Sequence, residues 1–169
     1  MGKKIWKVRK SKIHGSGVFA SNLIPKNTDV IEYIGEMITK KEGDLRSDRR
    51  IKKYLNSEET GSVYIFELNK KYDIDGSPLY NNARYINHSC EPNCEVKISN
   101  NQIWISSIKK IKKGEELSYD YGYAFNKDDY RDHLCKCGSK NCIGYIISSN
   151  DWDKFLKYLS KNIAKLKKL

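Results

Sequence analysis

Proline and methionine are scarce, with three prolines and two methionines in 169 residues, and no internal repeat or low-complexity linker interrupts the chain. Long hydrophobic runs are missing as well, which excludes a membrane-spanning helix. The start, Met1-Gly2-Lys3-Lys4-Ile5-Trp6, is basic but has no apolar stretch behind it, so no secretory signal is expected. Gly2 would suit an acyl anchor, yet Trp6 stands where that motif needs Ser or Thr. Acid is in short supply: 32 Lys and Arg against 21 Asp and Glu leave a net charge of +11. A field of that sign draws the chain toward nucleic acid, nucleoprotein or anionic lipid, although a merely solvated basic surface reads equally well. A disulfide framework is also lacking. Five cysteines make an odd count and include a Cys-x-Cys pair. With no secretion signal, metal ligation in an intracellular, reducing compartment is the better reading.

What is present suits one folded domain with a small appendage. Apolar residues make up 38% and charged residues 31%, while 11% aromatics supply bulky core material, which excludes general disorder. Short strands are expected at residues 5–8 and 17–20, around a turn at His14-Gly15-Ser16-Gly17. Further strands are expected at 30–38, 63–68 and 72–76, and a hairpin joins 95–98 to 102–105 across Ser99-Asn100-Asn101. The segment from Asn81 to Ile86 reads as a short helical turn. The highly charged segment 40–56 reads as an exposed helix with a loose apolar face of Leu45, Ile51, Tyr54 and Leu55. The predicted class is therefore β-rich, with small sheets and short helices. In the tail, Trp152, Phe155, Leu156, Leu159, Ile163 and Leu166 recur at helical spacing opposite lysines, with Asp151 or Asn150 as the cap. Docking of that stripe on its own domain is expected; a membrane, nucleic acid or acidic partner is the alternative.

Three clusters carry the chemistry. Cys135-x-Cys137-x₄-Cys142 offers three thiolates separated by polar residues, which argues against three buried, unrelated cysteines. Structural zinc wants four soft ligands, so Cys90 or Cys94 must supply the fourth. Upstream stand Asn87-His88-Ser89-Cys90-Glu91 and Tyr119-Asp120-Tyr121-Gly122-Tyr123. Taken alone, His88 would be an ordinary buried histidine, the alternating tyrosines a strand with one packed face, and the Gly-x-Gly turn just a turn.

In their order, however, Ile13 to Ala20, Arg84 to Cys94, Gly114 to Tyr121 and Cys135 to Cys142 resemble the SET-domain protein lysine N-methyltransferases with a post-SET zinc tail. The resemblance covers residues 5–146. It implies a SET fold with a knot-like core over residues 1–126 and a zinc-binding tail over 127–147; the helical spacing beyond it adds a basic amphipathic helix over 148–169. It also implies S-adenosylmethionine as cofactor, held by His14, Gly15, Ser16, Gly17, Tyr64, Asn87, His88 and Lys136. Tyr121 and Tyr119 are the implied catalytic residues, and Tyr64, Tyr119, Tyr121 and Tyr123 line the implied substrate channel. One structural zinc ion would sit on Cys90, Cys135, Cys137 and Cys142, leaving Cys94 as a core residue. The expected reaction is methyl transfer to a lysine of a histone or other chromatin protein, stopping at mono- or di-methylation because Tyr119 carries a hydroxyl. A non-histone basic protein as substrate, or a non-catalytic zinc module binding protein or nucleic acid, is the alternative. A histone substrate, a tail or whole nucleosome, would imply the nucleus; otherwise the cytoplasm is expected. No pre-SET cysteine cluster precedes residue 13. The acids Glu115, Glu116, Asp120, Asp128, Asp129 and Asp132 suggest an acidic peptide groove, with the basic surface, tail helix included, turned to nucleic acid.

Overall fold

The computed structural model describes residues 4–55 and 63–166, with side chains described through residue 53 and again from 63 to 162. Among the described residues, ten short strands form four small sheets. β1 (Trp6–Lys10) and β2 (Ser16–Ala20) make an antiparallel pair. β3 (Asp29–Glu32) lies beside β9 (Gln102–Ser107), which pairs in turn with β8 (Cys94–Ser99). β4 (Glu36–Thr39), β6 (Tyr72–Asp75) and β5 (Ile65–Glu67) form a second three-stranded sheet. β7 (Asn87–His88) and β10 (Ser118–Tyr119) are two residues each and run parallel. The main core lies where these sheets meet and includes Val18, Ala20, Ile24, Ile86, Ile105 and Leu117, all at most 1% exposed.

The expected continuous strand over 30–38 is split. Residues Tyr33 to Gly35 separate β3 from β4, which join different sheets. Gly35 marks the break, since a Cβ there would strike the Asp75 carbonyl. The strand expected over 63–68 is shorter, because Tyr64 adopts a φ of 58° and leaves the extended region.

α1 spans Lys40–Leu55; residue 56, the end of the expected helix, lies outside the described residues. Its docking is ionic. Arg46 and Arg50 both reach the buried Asp75 at 2.9 Å, and Lys40 reaches the buried Asp73 at 2.6 Å. Leu45 and Ile51, expected as its apolar face, stay exposed. α2 (Trp152–Leu166) docks instead through aromatic packing: Phe155 is fully buried against Phe125, Tyr130 and Tyr145 in a second core. A single 3-10 turn, Ser149–Asp151, leads into α2 and carries Asn150 and Asp151, the expected cap residues. The Ser148 hydroxyl accepts from the Asn150 N–H, while Asp151 accepts from the Phe125 N–H at 2.7 Å. No helix among the described residues is long and apolar enough to cross a membrane.

Candidate active site

The two shortest strands position the site. Pairing of β7 with β10 places Asn87 opposite Ser118 and His88 opposite Tyr119. Asn93 locks this crossing, donating to the Glu116 carbonyl at 2.7 Å and accepting from the Ser118 N–H at 2.9 Å. Asn87 then ties the knot to the glycine turn. Its side-chain amide donates to the carbonyls of Ser16 at 3.1 Å and His14 at 3.3 Å, and to the Glu116 carboxylate at 2.8 Å. Gly17 lets that carboxylate approach closely, since a Cβ there would displace it from Asn87. His88 is buried. Its Nδ1 accepts from the Tyr121 N–H at 3.2 Å, and burial depresses its pKa below the usual imidazole value.

A cavity of about 870 Å³ opens beside this crossing. Asn87, His88, His14 and Lys136 line it together with Tyr64, Tyr121 and Tyr123, and the His88 and Tyr121 rings meet at 5.4 Å. Gly15, Ser16 and Gly17 shape the neighbouring turn without facing the cavity, and Tyr119 stands behind the wall, 7% exposed, with its ring 5.0 Å from that of Tyr121. Rings continue in both directions: Tyr33 to Phe66 at 5.0 Å, Phe66 to Tyr119 at 6.1 Å, Tyr121 to Tyr123 at 5.9 Å, and Tyr123 to His133 at 5.4 Å. Sequence reasoning missed Tyr33, Phe66 and His133 as members of this stack. They come from three distant segments, and no local spacing connects them.

The hydroxyl of Tyr121 donates to the Ile86 carbonyl at 3.0 Å. Its proton is thus committed, and its lone pairs remain available to accept a hydrogen bond. Burial raises its pKa well above the usual phenol value, so it stays neutral near neutral pH. Tyr64 is held by its own backbone: its carbonyl accepts from the Tyr33 hydroxyl at 3.0 Å and from the Gly76 N–H at 2.9 Å, and the Arg84 guanidinium stacks on its ring at 4.1 Å.

Of the acids expected to form a peptide groove, Asp132 lines the cavity; Asp44, Glu67 and Asp73, not anticipated, line it too. Glu116 is instead engaged internally, accepting from Ser11 and Asn87.

The thiols of Cys90, Cys135, Cys137 and Cys142 all lie within 4.8 Å of one another, at 3.8 Å for Cys90–Cys135 and 3.9 Å for Cys90–Cys142. Four sulfurs about 2.3 Å from a tetrahedral zinc ion stand about 3.8 Å apart, so this donor set could hold one. Cys94 is excluded. It is 1% exposed in the main core, and burial pushes its thiol up to about 12. The tail thus closes on the knot, and its Leu134, Cys135 and Lys136 form part of the cavity wall.

This combination of a parallel two-strand crossing, an aromatic cavity and a cysteine-closed tail defines a known class. Residues 15–122 match the SET domain family, and the chain belongs to it. It is 40% identical over 148 residues, 85% of its length, to histone-lysine N-methyltransferase set-2 of Caenorhabditis elegans. It is 40% identical over 137 residues, 79% of its length, to human histone-lysine N-methyltransferase 2D, and 36% over 141 residues, 81% of its length, to the H3 lysine-4 specific enzyme of Saccharomyces cerevisiae. The matched segment spans only 9%, 2% and 13% of these relatives.

Proposed function

We propose that the chain methylates lysine side chains of a protein, a histone first, using S-adenosylmethionine and stopping at the mono- or di-methyl product. The observation that carries this reading is a single cavity lined by Asn87 and His88 together with Tyr64, Tyr121 and Tyr123. Its volume of about 870 Å³ lies within the range of ligand sites, which span about 300–1,000 Å³. When bound, the cofactor supplies an electrophilic methyl group. His14, Tyr64, Asn87, His88 and Lys136 would hold it, with Gly15, Ser16 and Gly17 shaping the turn that presents His14. Cys90, Cys135, Cys137 and Cys142 would hold one zinc ion, which has structural work only because sulfur fills every position.

The lysine amine must be neutral to attack, although its ordinary pKa is about 10.4. A channel walled by aromatic faces strips water from the amine and lowers that value. Tyr121, its proton committed to Ile86, accepts from an amine N–H and so turns the nitrogen lone pair away from itself. Its neutrality suits it to orientation rather than proton abstraction. Tyr123, 38% exposed, suits the channel mouth.

Two measurements test the proposal. Labelled methyl transfer should go to histones, nucleosomes or an H3 tail peptide, the substrate that several relatives carry in their names. Transfer confined to non-histone proteins would redirect the substrate, and no transfer from metal-loaded protein would leave a binding module. The Tyr119 hydroxyl takes up space behind the Tyr121 wall, so Tyr119→Phe should raise the methylation state seen by mass spectrometry. An unchanged product would refute that role.

A further inference from the structure

A run of exposed lysines lies outside the cavity lining. Ile24 and Ile111 form an antiparallel bridge with reciprocal backbone hydrogen bonds of 2.9 Å. Further along, Asn27 donates to the Ser107 carbonyl at 2.8 Å and Ser107 to that of Thr28 at 2.9 Å. Between these two anchor points the ribbon sets Lys26 beside Lys109. Lys110, Lys112 and Lys113 follow on the same ribbon, and all five lysines are exposed. Among the described residues, no ion pair within 4.0 Å engages any of them. Of the flanking acids, Asp29 and Glu95 share Lys97, while Glu115 lies within the ribbon and accepts from the Lys112 N–H, so it offsets one of the five charges.

From this geometry we infer that the 24–27/107–113 ribbon is a docking surface for duplex nucleic acid, recognised through its phosphates. Residues 109–113 extend over at most about 17 Å. A duplex presents one charge per about 1.7 Å of axis, or roughly ten phosphates over that length. An extended acidic peptide carries at most one charge per about 3.3 Å, half as dense a match. Every basic group in the patch is lysine, a compact point charge without the fork that reads base edges, so binding should ignore sequence. None of the five lines the cavity, so the surface is free while a protein substrate occupies the active site. A protein that works on a nucleic-acid-bound substrate would gain residence there without new contacts at the reaction centre. The inference does not depend on methyl transfer, because its readout is binding alone.

The test is binding of the intact chain to two unrelated 30-base-pair DNA duplexes at 50 and 200 mM salt. Five phosphate contacts give a slope of about −4.5 in log affinity against log salt, which is a loss of roughly 500-fold across that range. Replacing Lys109, Lys110, Lys112 and Lys113 by Gln should cut the loss to about 3.5-fold, equally for both duplexes. A second variant, with Lys154, Lys157 and Lys161 changed to Gln, removes exposed charge from α2 and should keep at least a 200-fold loss. A ribbon variant with undiminished salt dependence overturns the proposal. So does a collapse seen only in the α2 variant, a marked preference between duplexes, or no binding by the unmodified chain at 50 mM salt.

Discussion

The two helices are fixed by opposite physics, and only one of them reaches the cavity. α1 supplies Lys40, Asp44, Ser47 and Ile51 to the cavity wall and is held on its sheet by charge: Asp75 receives Arg46 and Arg50, and Asp73 receives Lys40. α2 touches no part of that wall and is held by rings, with Phe155 wedged among Phe125, Tyr130 and Tyr145. The segment α2 braces is the tail that carries Leu134, Cys135 and Lys136 to the cavity. One wall is thus sensitive to acid, and the other depends on thiols and apolar burial.

Stripping metal from the four cysteines should have the largest effect. Structural zinc in small sites contributes on the order of 10 kcal/mol of folding free energy. Chelation should raise hydrogen exchange across residues 130–147 and leave α1 protected; uniform protection would show that the thiols do not secure the tail. Phe155→Ala comes next, with a loss of about 3–5 kcal/mol for a buried aromatic. Denaturant unfolding should show it, and exchange should rise at Phe125 and Tyr130 first. Asp75→Asn leaves two guanidinium groups short of their carboxylate and should cost about 3 kcal/mol, loosening α1 but not α2. The acid dependence follows the same division. The Arg46 and Arg50 guanidinium groups hold the Asp75 carboxyl well below the usual carboxylate range. A depressed pKa gives stability that is complete above the unfolded value of about 3.9 and is lost as pH falls through the lower folded value. α1 should therefore stay docked at pH 5 and loosen progressively as pH falls from about 4 towards the lower folded value; release at pH 6 would remove the ionic account.

This contrast also explains what could be read in advance. Thiol spacing is local, so three of the clustered cysteines were legible, whereas Cys90 rather than Cys94 came only with the family resemblance. Of the cavity lining, Asn87, His88 and Tyr121 stand in local motifs, but Asp44, Glu67 and Asp73 do not. Legible too was the hairpin of β8 and β9, where alternation and two asparagines at positive φ, Asn100 and Asn101, mark the turn. α1 was legible as a helix but not in its docking, because a search for apolar periodicity overlooks arginines aimed at buried aspartates. The second core was partly legible: the α2 stripe predicts burial, but nothing local shows that Phe125 and Tyr130 receive it. The break at Gly35 and the left-handed Tyr64 were hidden because each depends on a contact with a distant strand, at Asp75 and Gly76 respectively.

The central claim is that Tyr121 orients an amine beside a separately held cofactor. Single-turnover methyl transfer by Tyr121→Phe at saturating cofactor, with cofactor affinity measured on the same sample, addresses it directly. The account predicts affinity within about twofold of the unmodified chain and a rate at least a hundredfold lower, the loss of about 2.7 kcal/mol of transition-state stabilisation. Equal rates in the two proteins would contradict it.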